Sequence, residues 1–309
     1  MPERTMAETG KTLIMQKLTS RLIYAFRTFV LRQEKPYLFG LVITDKCNLN
    51  CFYCGSKNSG KYHITSERAF SVLRDAYYRG HRSLYFTGGE PMLWYDNGYD
   101  VSNLVKFAKD IGFLDVFINT SGTLPIDVPN CNYIVTIDGP REIHNKIREG
   151  SFDLIIDNVK GAVTKSVFTS ITFNKTNTKY LEDFVREIYD LKLFKGITFN
   201  LLTNWPEIVN KYGVMGNERI KLLDRIWKLK IDGYPIVLSR AAYVALRNNN
   251  WKRPIPQIEL GTNEHIFKCC RDVDNTSVCK NCGYANCVEI SQILDMKPSA
   301  LWQFLRLAM

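Results

Sequence analysis

The chain has 309 residues, 45% of them hydrophobic, and a formal net charge of +10, enough to build one large domain with a small appendage. No run reaches the ~18 uninterrupted apolar residues that a spanning helix requires. The polar N-terminus lacks a small-residue cleavage site, so neither a membrane-spanning protein nor a secreted disulfide framework is expected.

The first expected element is a helix over residues 11–33, where Met15, Leu18, Leu22, Phe26, Phe29 and Val30 recur at helical spacing. Lys17, Arg21, Arg27 and Arg32 lie mostly opposite, with no acidic residue in the segment. Such a helix either lies on an anionic membrane surface or packs its apolar face on the rest of the protein, and the sequence leaves both open. From residue 38, short β-rich runs alternate with helical patterns. Strands are predicted at 38–44 (LFGLVIT), 83–88, 116–120, 133–138, 167–173 and 196–202, and helices at 65–79, 100–112, 142–163, 178–193 and 217–231. That alternation predicts a parallel sheet with right-handed crossovers. Neither GxGxxG nor GxxxxGK[ST] occurs, and polar, glycine-rich signals follow the strand ends. The expected fold is therefore α/β, a partial (β/α)6 TIM-like barrel rather than an open nucleotide-binding sheet. The proline-containing stretch 248–257 reads as irregular. Three units result: an N-terminal basic amphipathic helix (1–36), the barrel (37–247) and a cysteine-rich C-terminal extension (248–309).

The nine cysteines are distributed unevenly. Cys47, Cys51 and Cys54 follow the first strand in a CxxxCxxC spacing. Cys269, Cys270, Cys279, Cys282 and Cys287 lie in the extension. Cys131 stands alone and is expected to be a packed thiol. In a reducing, cytoplasmic setting such clusters read as metal sites. Three thiolates in one short loop, with no histidine beside them, suit an iron–sulfur cluster better than zinc, which takes four ligands. Three ligands for four irons leave one iron open to a further ligand.

This spacing, with Tyr53 as the aromatic before the third cysteine, resembles the signature of the radical S-adenosylmethionine (AdoMet) superfamily. Thr87-Gly88-Gly89-Glu90-Pro91, at the end of the second strand, resembles that family's GGEP motif. Asn119-Thr120-Ser121-Gly122 and Thr136-Ile137-Asp138-Gly139-Pro140 resemble segments that contact the AdoMet ribose and carboxylate. The resemblance runs over roughly residues 38–205. It implies that Cys47, Cys51 and Cys54 ligate a catalytic [4Fe-4S] cluster, and that Tyr53, Gly88, Gly89, Glu90, Thr120, Thr136 and Asp138 bind AdoMet, with Glu90 on the methionine amino group. The implied reaction is one-electron cleavage of AdoMet to methionine and a 5′-deoxyadenosyl radical, which then attacks a substrate. The electron would come from a donor such as flavodoxin or ferredoxin. The residue chemistry agrees, since glycines admit a ligand close to backbone and a carboxylate accepts from an ammonium; the same segments also read as ordinary turns. His144 and Arg148, on the next helix, are expected on a solvated face.

For the five C-terminal cysteines two readings stand: a second [4Fe-4S] cluster, as the resemblance implies, or a structural tetrathiolate zinc. Either needs four thiolates, and the choice between Cys269 and Cys270 stays open. The run GYPIVLSRAAYVALRNN, the cysteines, Glu289 and a helical tail at Pro298 are loosely similar to the hopanoid adenosyl-transferring subgroup, although the cysteine spacing differs and the glycine-tyrosine-glutamate run is not reproduced. This similarity implies an isoprenoid or lipid-like substrate, handled by a cytoplasmic protein that attaches peripherally to a membrane. The excess of positive charge favours anionic surroundings, although mere solubility accounts for it equally well; nucleic acid is not an expected partner. The alternative is a peptide or protein maturase. A non-enzymatic cluster or zinc protein would have no use for a GGEP motif.

Overall fold

The computed structural model describes residues 19, 36–55, 58–270, 272 and 274–308. The expected helix over 11–33, with the membrane question attached to it, lies outside the described residues save for Thr19.

Six strands in chain order form the body of one sheet: β1 (Leu38–Thr44), β2 (Ser83–Gly88), β5 (Asp115–Thr120), β6 (Asn132–Thr136), β7 (Val167–Phe173) and β8 (Ile197–Leu201). All pair in parallel with their chain neighbours in this series. Between β2 and β5 a small hairpin, β3 (Tyr95–Asp96) and β4 (Tyr99–Asp100), stands apart as its own two-stranded sheet. Beyond β1 the sheet gains β9 (Ile258–Gly261), parallel to it, and β10 (Ile266–Lys268), antiparallel at the edge. The C-terminal segment thus contributes two strands to the barrel sheet. This is the α/β, TIM-like partial barrel that the alternation predicts.

The crossover helices form where local chemistry directs. α1 (Ser66–Arg79) starts at Thr65, whose hydroxyl accepts from the Arg68 amide, and α2 (Val101–Ile111) starts in a capping box between Asp100 and Asn103. Such caps satisfy amides that the first turn leaves without partners and are worth about 1 kcal/mol each. The single helix expected over 142–163 is instead two, α3 (Arg141–Ile147) and α4 (Phe152–Lys160). Glu149 and Gly150 between them are both left-handed, with φ of 54° and 75°, a conformation that no continuing helix accommodates. Helices α5 (Leu181–Leu191), α6 (Pro206–Tyr212), α7 (Gly216–Ile231) and α8 (Arg240–Arg247) follow, then α9 (Thr276–Lys280), α10 (Ala285–Leu294) and α11 (Pro298–Ala308). One apolar core runs between sheet and helices, from Phe39 and Phe86 on the strands to Leu73, Phe184 and Leu223 on the helices. A smaller apolar group at the C-terminal strand ends joins Leu49, Cys51 and Tyr53 to Ile143 and Ile147 of α3 and Val209 of α6.

Candidate active site

β1 and β2 end side by side, and their exits are stitched together. The Gly89 amide donates to the Thr44 carbonyl at 2.7 Å, and the Glu90 amide to the Lys46 carbonyl at 2.7 Å. A Cβ on Gly88 would lie 1.9 Å from the Thr44 carbonyl oxygen, and one on Gly89 2.3 Å from that of Lys46. Only glycine allows this crossing, which sets where the chain enters Cys47. Asn58 then clamps Cys47: its side chain accepts from the Cys47 amide at 2.9 Å and donates to the Cys47 carbonyl at 3.1 Å. The Leu49 amide points at the Cys47 sulfur, 3.5 Å away.

The three cysteines line one cavity of about 170 Å³ with Leu49, Tyr53, Thr87, Gly88, Gly89, Asn119, Thr120, Ser121, Thr136 and Arg148. Residues far apart in sequence therefore meet at the C-terminal ends of β1, β2, β5 and β6, where barrel enzymes place their chemistry. Among the described residues no three His, Cys, Asp or Glu side chains close around a single ion. The cysteines instead border a shared space, a donor set of three thiols that fits a multi-iron cluster with one open position. Burial pushes the Cys47 and Cys51 thiols up from their ordinary value, and the Arg148 guanidinium opposes this at both.

The two carboxylates expected to bind the ligand, Glu90 and Asp138, are not among the residues that line the cavity; they brace its wall. Glu90 is fully buried. It accepts from the Thr120 hydroxyl at 2.7 Å, the Ser121 amide at 2.7 Å, the Ser121 hydroxyl at 2.6 Å and the Met92 amide at 3.1 Å. Thr120 and Ser121 form the wall; Glu90 holds them. Asp138, also fully buried, accepts from the Tyr53 hydroxyl, from Arg148 Nε at 2.6 Å and from the Thr172 amide at 2.9 Å. Arg148 also donates to the Tyr53 hydroxyl. Burial alone would weaken the guanidinium's hold on its proton, but the adjacent Asp138 overrides this and keeps Arg148 charged.

The expectation of a solvated face for His144 and Arg148 is thus corrected: both are buried. The sequence did carry a signal. Ile143 and Ile147 stand four apart, and His144 and Arg148 follow each by one residue on the same helical stripe. His144 Nδ1 accepts from the Asp138 amide at 3.1 Å, which leaves the Nε2 proton for Ser151 Oγ at 3.1 Å. Burial holds this imidazole down to about 4, against an ordinary 6.5. The unfolded chain therefore takes up a proton first as pH falls, so stability is full above about pH 6.5 and declines between there and pH 4. At ~1.4 kcal/mol per unit, His144 should remove about 2 kcal/mol between pH 7 and pH 5. Buried His81, also lowered to about 4, acts in the same direction. Urea unfolding at the two pH values checks this, and a His144→Asn variant should lose roughly half of the difference.

The C-terminal cysteines also gather. Cys269 shares hydrogen bonds with Cys270 and Cys287 and is pushed up to about 12. Burial pushes Cys282, which feels Cys269 and Cys270, to about 12 as well, and Cys279 feels Cys270. Two cations attend them: Arg219 donates to the carbonyls of Asn281 and Cys282 at 2.8 and 3.0 Å, and Arg253 to that of Lys280 at 3.1 Å. Among the described residues these thiols do not close around a single ion; they share one neighbourhood with two guanidinium groups, which favour thiolate over thiol there. Cys131 is buried elsewhere, its thiol donating to the Val128 carbonyl at 3.3 Å.

A parallel half-barrel with a three-cysteine cavity at its strand ends is an arrangement that barrel enzymes use for their chemistry. Residues 41–188 match the model of the radical SAM superfamily. A Methanococcus maripaludis protein named "Probable GTP 3',8-cyclase" is 26% identical over 164 residues, 48% of this chain and 52% of its own, so the chain spans about half the length of that relative. In fold, the chain resembles Streptococcus suis SuiB bound to S-adenosylmethionine, with a TM-score of 0.60 at 12% identity, over 86% of this chain and 67% of that one. It also resembles anSMEcpe with bound AdoMet and the Cp18Cys peptide, with a TM-score of 0.56 at 18% identity, over 88% and 83%. Among the described residues no helix is long and apolar enough to cross a membrane.

Proposed function

We propose that the cavity holds a [4Fe-4S] cluster on Cys47, Cys51 and Cys54 and, beside it, AdoMet against Tyr53, Gly88, Gly89, Thr120 and Thr136. The observation that carries this reading is the convergence of all three cysteines with the ends of β2, β5 and β6 around one cavity. When bound, the cluster and AdoMet supply a 5′-deoxyadenosyl radical. The chain's own residues bind, orient and exclude water. Gly88 and Gly89 bring backbone up to the ligand, and Thr120 and Ser121 present hydroxyls whose orientation Glu90 sets. Glu90's contact with the AdoMet ammonium would add to the four hydrogen bonds it already accepts, and would give this buried carboxylate a counter-charge. Arg148, steadied by Asp138 and Tyr53, offers a positive charge to thiolates and to an anionic group of the ligand.

We assign the C-terminal cysteines to a second [4Fe-4S] cluster, supported by their gathering beside Arg219 and Arg253. The substrate we propose is an isoprenoid or lipid-like small molecule, the electron donor flavodoxin or ferredoxin, and the location the cytoplasmic face of a membrane. The support is the C-terminal likeness to the hopanoid subgroup and the basic apolar pattern over 11–33. A peptide is the second reading, supported by the fold shared with anSMEcpe, whose structure holds a peptide.

Anaerobic reconstitution tests the core of this. The dithionite-reduced protein should release 5′-deoxyadenosine and carry about eight irons per chain, four at each cysteine group. Absence of 5′-deoxyadenosine in a fully loaded sample sinks the AdoMet reading. Four irons and one zinc would move the second centre to zinc. Metabolite profiling of a deletion strain separates a lipid from a peptide substrate.

A further inference from the structure

Trp205 has φ 61° and ψ 86°, a left-handed conformation that bulky residues avoid and that the surrounding structure must impose. It ends the loop between β8 and α6, as the residue that precedes the helix, and its indole lies against the first cysteine loop. A Cβ on Gly55, the residue after Cys54, would lie 2.7 to 2.8 Å from three atoms of the indole ring. The ring therefore rests on the backbone of Gly55, and no other residue type leaves room for it there.

The preceding residue faces the other way. Asn204 is buried, and both ends of its amide are committed to the C-terminal cysteine segment. Its nitrogen donates to the Asp272 carboxylate, and its oxygen accepts from the Tyr284 hydroxyl at 2.7 Å. The same segment is pinned to β8, where the Leu201 amide donates to the Gly283 carbonyl at 2.9 Å and Asn200 bridges to Tyr284. Asp272 lies two residues beyond Cys270, and Tyr284 lies two beyond Cys282 and three before Cys287. Two adjacent residues thus reach the flanks of both cysteine groups, one through a strained indole and one through an amide bonded at both ends.

We propose that the Asn204–Trp205 pair couples the two centres, so that metal at the C-terminal cysteines sets the position of the Cys47–Cys54 loop and hence its affinity for AdoMet. This rests on the reading that both cysteine groups bind metal. Closing the C-terminal thiols around a centre fixes Asp272 and Tyr284, these fix Asn204, and the backbone strain at Trp205 is borne only while that anchor holds. Neither residue lines the AdoMet cavity, so both are positioning residues.

A double-mutant cycle on the anaerobically loaded protein tests this, with AdoMet affinity and the resonance of the reduced first cluster as readouts. The first arm is Cys279→Ala with Cys282→Ala, which empties the C-terminal centre while leaving the cavity wall untouched. The second is Trp205→Ala, with Trp205→Phe as the conservative control. Each arm alone should weaken AdoMet binding about tenfold, a change of ~1.4 kcal/mol, and shift the first cluster's resonance. Combined, they should weaken it no further than either alone, while Trp205→Phe should stay near wild type. Full additivity, or an emptied C-terminal centre with unchanged AdoMet affinity, overturns the coupling. Metal analysis run beside it keeps the two failures apart: a wild-type chain with no metal at the C-terminal cysteines removes the reading beneath the proposal, whereas a loaded chain with additive losses removes the coupling alone.

Discussion

Replacing Cys47, Cys51 or Cys54 with alanine is expected to lower 5′-deoxyadenosine formation by more than about 1,000-fold, equivalent to over ~4 kcal/mol of barrier. The three thiols are the donors that face the cavity, and two thiolates cannot retain a four-iron cluster against loss to solvent. The control is built into the chain. Cys131 is buried, as Cys51 is, but its thiol donates to the Val128 carbonyl, so Cys131→Ala should leave the product yield near wild type while lowering stability slightly. The triple variant should also keep whatever iron the C-terminal cysteines hold. Full activity in any single variant of the first loop would remove that cysteine from the ligand set.

Arg148→Leu is expected to be among the most destabilising single substitutions in the molecule. It strands the Asp138 carboxylate, which is fully buried and, among the described residues, otherwise accepts from the Tyr53 hydroxyl and the Thr172 amide. Removing one partner of a buried pair typically costs about 3–5 kcal/mol, because the remaining charge has lost both water and counter-ion. AdoMet affinity should fall as well, since Arg148 is the cationic side chain on the cavity wall. Asp138→Asn should be milder in stability, because Arg148 keeps its contact with Tyr53 and the asparagine side-chain oxygen still accepts a hydrogen bond. The double variant Arg148→Leu, Asp138→Leu should recover part of the stability lost by Arg148→Leu, but none of the affinity. Chemical unfolding and equilibrium AdoMet binding, measured on the same four proteins, separate the two effects. A double variant less stable than Arg148→Leu would show that the pair is held by something other than its mutual charge.

The strands at 38–44, 83–88 and 167–173 and the helix at 66–79 stand where apolar periodicity and end signals put them. Those signals are local: alternation of Val, Ile and Phe along a strand, a threonine cap before a helix, a glycine after it. The cysteine spacing was equally legible, because Cys47, Cys51 and Cys54 sit on one loop. The break between α3 and α4 was missed because Glu149, unlike Gly150, gives no warning of a left-handed backbone. The strained backbone at Trp205 left no trace in the sequence either, since nothing within three residues of it dictates that conformation.

By itself, then, the sequence determined the half-barrel, the cysteine loop and the order of the segments that follow the strands, because each depends on contacts among residues close in the chain. Only the tertiary structure decided what those segments do to one another. Glu90 and Asp138 look alike in sequence as carboxylates at strand ends, and both turn out to stand behind the cavity wall, holding Thr120, Ser121 and Arg148 forward. Arg148 is 95 residues from Tyr53 and meets it only because α3 folds over the strand ends. Burial and charge compensation are properties of that meeting: a side chain becomes a ligand, a clamp or a solvated charge according to which distant residues exclude water from it.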